Sequence, residues 1–162
     1  MIYLPDVINV VYCSSNFFSE VCAVSMTSLF ENNKHLKEIN VYIIDDGICK
    51  ENKDRIQQIS ERYERNVYFL TMPDPSIFFS DNRFTIKTLG HTYARMILGD
   101  VIPENVERII SLDSDTIVLN KIDELWSTEM GEHPIAGVDD CMGKVALVKT
   151  QHLKENSIHC NA

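Results

Sequence analysis

The stretch Arg108 to Leu119, RIISLDSDTIVL, carries Asp113 and Asp115 where an apolar run, Ile109 to Leu112, gives way to acid. Residues i and i+2 of an extended segment project to the same side, so these two carboxylates can converge on one divalent cation. Mg²⁺ or Mn²⁺ takes hard oxygen ligands and leaves positions for water and phosphate oxygens, an arrangement that suits a diphosphate leaving group. An Asp-x-Asp pair arises about once by chance in a chain this rich in aspartate, so the bare motif says little. Its context says more: the pair follows a strand pattern, at the carboxyl end where open α/β sheets place their ligands. Two such carboxylates repel unless a cation or solvent compensates them. Spacing alone leaves both a metal site and a solvated acidic turn open.

Other groupings are weaker. Gly137 and Gly143-Lys144 are separated by five residues where a phosphate-binding loop has four, and Val145 stands where its metal-binding Ser/Thr would be. Cys141, His152, His159 and Cys160 have no recognised zinc-ligand spacing. A phosphatase of the haloacid dehalogenase type also puts Asp-x-Asp after an apolar strand. It needs a Thr two residues beyond the second Asp, where this chain has Ile117, and its nucleophile strand lies near the start of the chain.

The elements that must position these residues follow from periodicity. Short β-branched runs alternate with longer segments of helical period, the pattern of βαβ units on a mostly parallel sheet. The pattern predicts strands at Val7–Tyr12, Ile39–Ile44, Val67–Leu70 and Arg108–Leu112, with extended chain at Thr116–Leu119 and a further short strand at Ile135–Val138. A helix is predicted over Ser19–Asn32, apolar on most sides and therefore well buried. A second, one-sided helix carries Ile56, Ile59 and Tyr63, and a third runs from about Thr88 to Leu98. Met72 to Phe84 reads as a loop, and Lys144 to Ala162 is ambiguous between helix and strand. Asp45, Asp46 and Gly47 read as a structural turn needing positive φ at the glycine, followed by Cys49 as a weak helix cap. Tyr93 and Trp126 read as packing residues.

RIISLDSDTIVL resembles the aspartate motif of glycosyltransferase family 8, the retaining galactosyl- and glucosyltransferases of GT-A type, and the similarity continues in order along the chain. INVVYCSSNFFSEVCAVSMTSLFENN is similar to that family's first strand and helix, VYIIDDGICKENKDRI to its second strand, turn and helix, and HTYARMILGDVIP to its Tyr-Ala-Arg helix. IAGVDDC is similar to the strand ahead of its acceptor loop, and Asn161-Ala162 to the start of its Asn-Ala-Gly motif. The resemblance implies an α/β, Rossmann-like GT-A nucleotide-sugar-binding fold with a mostly parallel central sheet. It implies transfer of a hexose from UDP-galactose or UDP-glucose to an acceptor hydroxyl, assisted by Mn²⁺ or Mg²⁺ held by Asp113 and Asp115. Arg95 would supply a cation near the diphosphate or sugar. Cys13, Ser14, Ser15, Asn16 and Phe18, with Ser114 and Asn161, would contact the UDP-sugar, and Asp140 would face the sugar or acceptor. The family has an acidic pair where this chain has Ser15 and Asn16.

The match covers the donor-binding part of that family's catalytic domain. A third metal ligand, a His, and most acceptor contacts would lie beyond residue 162, so the reading is one domain, truncated before the acceptor-binding part and inactive alone. Apolar surface left uncovered would invite self-association. A non-catalytic nucleotide-sugar-binding domain is the alternative. The acceptor would be a saccharide, glycolipid or glycoprotein. With 15 Lys plus Arg against 24 Asp plus Glu, the net charge of −9 argues against nucleic acid and anionic membrane surfaces. Five cysteines, an odd number without paired short spacings, read as reduced thiols. No apolar run reaches the roughly 18 residues of a membrane span. These features predict a soluble, cytoplasmic chain.

Overall fold

Strands rich in Val and Ile on both faces need a layer of packing on each side, and the sheet is built that way. The computed structural model describes residues 6–73, 94–95 and 98–137. In chain order these form β1 (Val7–Ser15), α1 (Ser19–Asn32), β2 (Glu38–Asp46), α2 (Lys50–Arg62), β3 (Asn66–Thr71), α3 (Leu98–Val101), β4 (Ile110–Ser111) and α4 (Asp123–Trp126). The strands form one sheet in the order β3-β2-β1-β4, and every pairing is parallel. Val10 faces Val41 on one side and Ile110 on the other.

Alternation sends successive side chains to opposite faces. Ile8, Val10 and Tyr12 of β1 and Ile39, Val41 and Ile43 of β2 pack with Cys22, Met26, Leu29 and Phe30 of α1 and Ile56 of α2. Val11, Tyr42 and Ile44 form the other cluster with Ala94, joined by Leu98, Ile102 and Val106. Near the amino ends of the strands an amide ladder crosses the sheet. Asn66 donates to Asn40 at 2.8 Å, Asn40 to Asn9 at 3.2 Å, and Asn9 to the Arg108 carbonyl at 3.3 Å. A one-residue slip would break every rung, so the ladder favours the observed register over its neighbours.

The first three strands and two helices stand where the periodicity puts them. The fourth strand is shorter than Arg108–Leu112: Asn9 takes the Arg108 carbonyl through its side chain, leaving two residues in the ladder. Thr116–Leu119 is not a strand, because its backbone bonds to side chains of α1 instead of to a neighbouring strand. Residues 135–137 carry no strand, and position 138 lies outside the described residues. So do most of the Met72–Phe84 loop, most of the Thr88–Leu98 helix, Tyr93 and the Lys144–Ala162 tail. Trp126 packs against the main core, as expected of it.

The chain divides into two compact units, Met1–Trp126, which holds the sheet, and Ser127–Ala162. In the second, the His133 amide closes a turn on the Met130 carbonyl at 3.0 Å, with Gly131 at φ +56°. Among the described residues no helix is long and apolar enough to cross a membrane.

Candidate functional site

The chain lays β2 and β3 to one side of β1 and then returns to the other side with β4. The carboxyl ends of β1 and β4 therefore meet where the strand order reverses, the place where open parallel sheets leave a crevice. The Leu112 amide donates to the Val11 carbonyl at 3.0 Å, and one turn later Ser114 Oγ donates to the Cys13 carbonyl at 2.8 Å. Asp113 to Thr116 is thus fastened to the end of β1.

This segment is a tight turn and not the extended chain that spacing suggests. The Thr116 amide and Thr116 Oγ1 both donate to the Asp113 carbonyl, at 3.2 and 2.7 Å, and those bonds curl the backbone. Asp113 and Asp115 are both exposed. The Arg95 guanidinium forms an ion pair with the Asp113 carboxylate, and both side chains are about half exposed, at 48% and 55%. Two solvent-facing carboxylates on one turn are hard oxygen donors of the kind Mg²⁺ and Mn²⁺ accept, so the residues fit such an ion. No group of three His, Cys, Asp or Glu gathers among the described residues, so two carboxylates are what this part of the chain offers.

The β1–α1 turn forms the adjoining wall. Cys13 is half-buried, and its thiol is pushed up to about 11, chiefly by burial and next by the Asp46 carboxylate, with Arg95 opposing. Ser14 is fully buried. Burial also pushes the Cys22 thiol up to about 11, against hydrogen bonds from Ser114 and Ser14. Both thiols are neutral at pH 7 and serve as packing groups. Phe18 is 40% exposed and meets the more exposed Phe17 edge to face, with ring centroids 5.2 Å apart. Ser15 is half-buried.

Asn16 has a structural task that sequence inspection missed. Its Oδ1 accepts from the Cys49 amide at 2.9 Å and from Asn52 Nδ2 at 3.1 Å, and its carbonyl accepts from Ser19 Oγ at 2.7 Å. It thereby caps α2 from another loop, supplying what Cys49 lacks; the partner lies 33 residues away, so no local motif announces it. The Asp45–Gly47 turn has its expected structural role: Asp45 Oδ1 accepts from the Ile48 amide at 2.6 Å, Asp45 pairs with Lys53, and Gly47 has φ +80°. Asp139, Asp140 and Asn161 lie outside the described residues.

A second feature was missed because α1 reads as an apolar helix. Val21 and Val24 are in fact exposed, at 42% and 57%, while Ser25 is fully buried. Ser25 Oγ is hydrogen-bonded to the Tyr12 hydroxyl at 3.1 Å and to Thr116 Oγ1 at 3.2 Å. One turn on, Ser28 Oγ accepts from the Val118 amide at 2.9 Å, and Asn32 Nδ2 donates to the Val118 carbonyl at 2.8 Å. Fully buried Asn33 accepts from the Ile122 amide at 2.9 Å and donates to the Asn120 carbonyl at 3.4 Å. A polar stripe of α1 thus holds the segment that follows the acidic turn. The helical spacing of Ser25, Ser28, Asn32 and Asn33 was the available signal.

The model of the family described as Glycosyl transferase family 8 matches residues 9–161. A putative glycosyltransferase of Haemophilus influenzae is 32% identical over 136 residues, which span 82% of this chain and 39% of that protein. General stress protein A of Bacillus subtilis is 24% identical over 158 residues, 97% of this chain and 54% of the relative. Among solved structures, the galactosyltransferase LgtC in complex with donor and acceptor sugar analogs superposes with a TM-score of 0.64 at 23% identity, covering 76% of this chain and 44% of that one. That likeness shows a shared α/β, Rossmann-like GT-A fold. The chain therefore spans about half or less of the length of each of these proteins.

Proposed function

The chain belongs to glycosyl transferase family 8, and from that premise we propose that it contributes the donor and metal half-site of a retaining hexosyltransferase. The donor is UDP-galactose or UDP-glucose, and the acceptor is a hydroxyl of a saccharide, glycolipid or glycoprotein. The observation that carries this reading is the acidic turn with Arg95 against Asp113 at the reversal point of a parallel sheet. The donor and acceptor analogs bound by LgtC support a two-substrate site.

In this reading Asp113 and Asp115 hold Mn²⁺ or Mg²⁺, and Ser114, bonded to the Cys13 carbonyl, keeps their turn against β1. The ion, when bound, supplies Lewis-acid neutralisation of charge on the departing UDP. Arg95 pairs with Asp113, and in this reading its charge also serves the diphosphate. The Cys13–Phe18 turn receives the uridine through backbone groups, Ser15 and the exposed Phe18 ring, with Asn161 a further nucleotide contact. Asp140 faces the sugar or acceptor. The reaction breaks the bond between the anomeric carbon and the diphosphate oxygen and forms one to the acceptor oxygen, whose proton is released. An odd number of cysteines without paired short spacings supports a cytoplasmic setting. Exposed Val21 and Val24 on α1 support self-association.

Radiolabelled UDP-galactose and UDP-glucose, supplied with Mn²⁺ to the full-length protein, test the reading. Hexose transfer or donor hydrolysis that stops in EDTA is expected, with Asp113→Asn and Asp115→Asn each slowing it by about 100-fold or more. UDP binding without turnover would favour the non-catalytic alternative. Hydrolysis of small phosphate esters abolished by Asp113→Asn would favour the phosphatase reading.

A further inference from the structure

Thr116 links the acidic turn to the interior of the protein. Its Oγ1 donates to the Asp113 carbonyl at 2.7 Å and lies 3.2 Å from Ser25 Oγ, which in turn lies 3.1 Å from the Tyr12 hydroxyl. Ser25 is 0% exposed and Tyr12 1%. The chain of hydroxyls thus begins in a dry core, where hydrogen bonds are electrostatically stronger and an orphaned partner is costly. The turn has a second, independent hold through Ser114 on the Cys13 carbonyl at 2.8 Å. Ser114 ties the middle of the turn to β1, whereas Thr116 ties the backbone of Asp113 itself to α1. The carboxylates are exposed and Asp113 is paired with Arg95, so the backbone beneath them, together with that ion pair, sets their separation and aim.

We propose that Thr116 is a positioning residue for the divalent cation: by joining the Asp113 carbonyl to the buried Ser25–Tyr12 pair, it holds the turn in the shape that lets Asp113 and Asp115 share one ion. The inference rests on the reading of that turn as a metal site. Groups that orient metal ligands typically change metal affinity by about 10- to 100-fold when removed. Thr116→Val keeps the side-chain shape and the amide bond to the Asp113 carbonyl but removes both hydroxyl hydrogen bonds, to that carbonyl and to Ser25, while Thr116→Ser keeps the hydroxyl.

The test is a Mn²⁺ titration of the full-length protein at saturating UDP, followed through the paramagnetic resonance signal of free Mn²⁺. UDP affinity in EDTA is measured beside it. Thr116→Val should weaken Mn²⁺ binding about tenfold and leave UDP affinity in EDTA unchanged, while Thr116→Ser stays within about twofold of the native protein. A Thr116→Val protein with native Mn²⁺ affinity, or a Thr116→Ser protein as impaired as the valine variant, overturns the assignment. If Thr116→Val does not fold, Ser25→Ala breaks the same chain one bond away: weaker Mn²⁺ binding supports the proposal and native binding overturns it. A native protein that binds no Mn²⁺ with UDP instead overturns the metal-site reading itself, and the proposal with it.

Discussion

Asp113 and Asp115 are two exposed negative charges separated by one serine, and in this structure the countercharge is Arg95 on Asp113. That pair is half exposed and contributes little to stability, so its value lies in local charge balance at the end of the sheet. The thiols beneath it make a different statement. Cys13 and Cys22 are each raised from 9.0 to about 11, mainly by burial, and burial also raises the Tyr12 hydroxyl with Ser25 opposing. A group whose folded pKa is raised holds its proton more tightly in the native state. Its contribution is complete below the unfolded pKa and is lost as pH rises through the folded value. Urea midpoints should therefore fall steadily between about pH 9 and pH 11, and replacing Cys13 and Cys22 with Ala should flatten that fall. A midpoint independent of pH over this range would mean the thiols are not buried as described. At this scale the sequence made Asp113, Asp115 and the positive φ of Gly47 legible, because aspartates after an apolar run and glycine after paired acids are local signals. Asn16 and Thr116 were illegible as anchors, since their partners are distant in sequence.

For the elements, α1 is the instructive case. Its apolar content predicts a helix buried by hydrophobic contact, and Cys22, Met26, Leu29 and Phe30 do pack on the sheet. Its other buried edge is polar. Ser25, Ser28, Asn32 and Asn33 take the place of a neighbouring strand for residues 116–122, which is why that segment is not in the sheet. Hydropathy period reveals which face is apolar, but it does not distinguish an exposed polar stripe from one that pairs with another backbone. Asn33 is the strongest link, fully buried and bonded to both the Ile122 amide and the Asn120 carbonyl. Asn33→Ala leaves that buried amide without a partner and should cost about 2–3 kcal/mol of stability, read from urea unfolding. A loss below about 0.5 kcal/mol would show that the stripe is held chiefly by packing.

The whole molecule resolves a conflict of charge. In the proposed reading a chain of net charge −9 must attract an anionic nucleotide, and long-range attraction does not supply that. Topology supplies a local answer: the chain lays β2 and then β3 on one side of β1 and places β4 on its other side, all parallel, and the acidic turn and Arg95 come together at the carboxyl ends of β1 and β4. The parallel sheet and its first helices were legible because strand and helix periods alternate without ambiguity through Arg62. Beyond β3 the periods weaken, and among the described residues there Arg108 and Val118 are held by backbone bonds to the side chains of Asn9 and Ser28. The central claim is that the acidic turn holds a divalent cation for a UDP-sugar, and calorimetric titration of UDP into the full-length protein tests it most directly. The account predicts UDP binding in Mn²⁺ that EDTA and Asp113→Asn each weaken at least about tenfold. Equal UDP affinity in Mn²⁺ and EDTA, unchanged by that substitution, would contradict it.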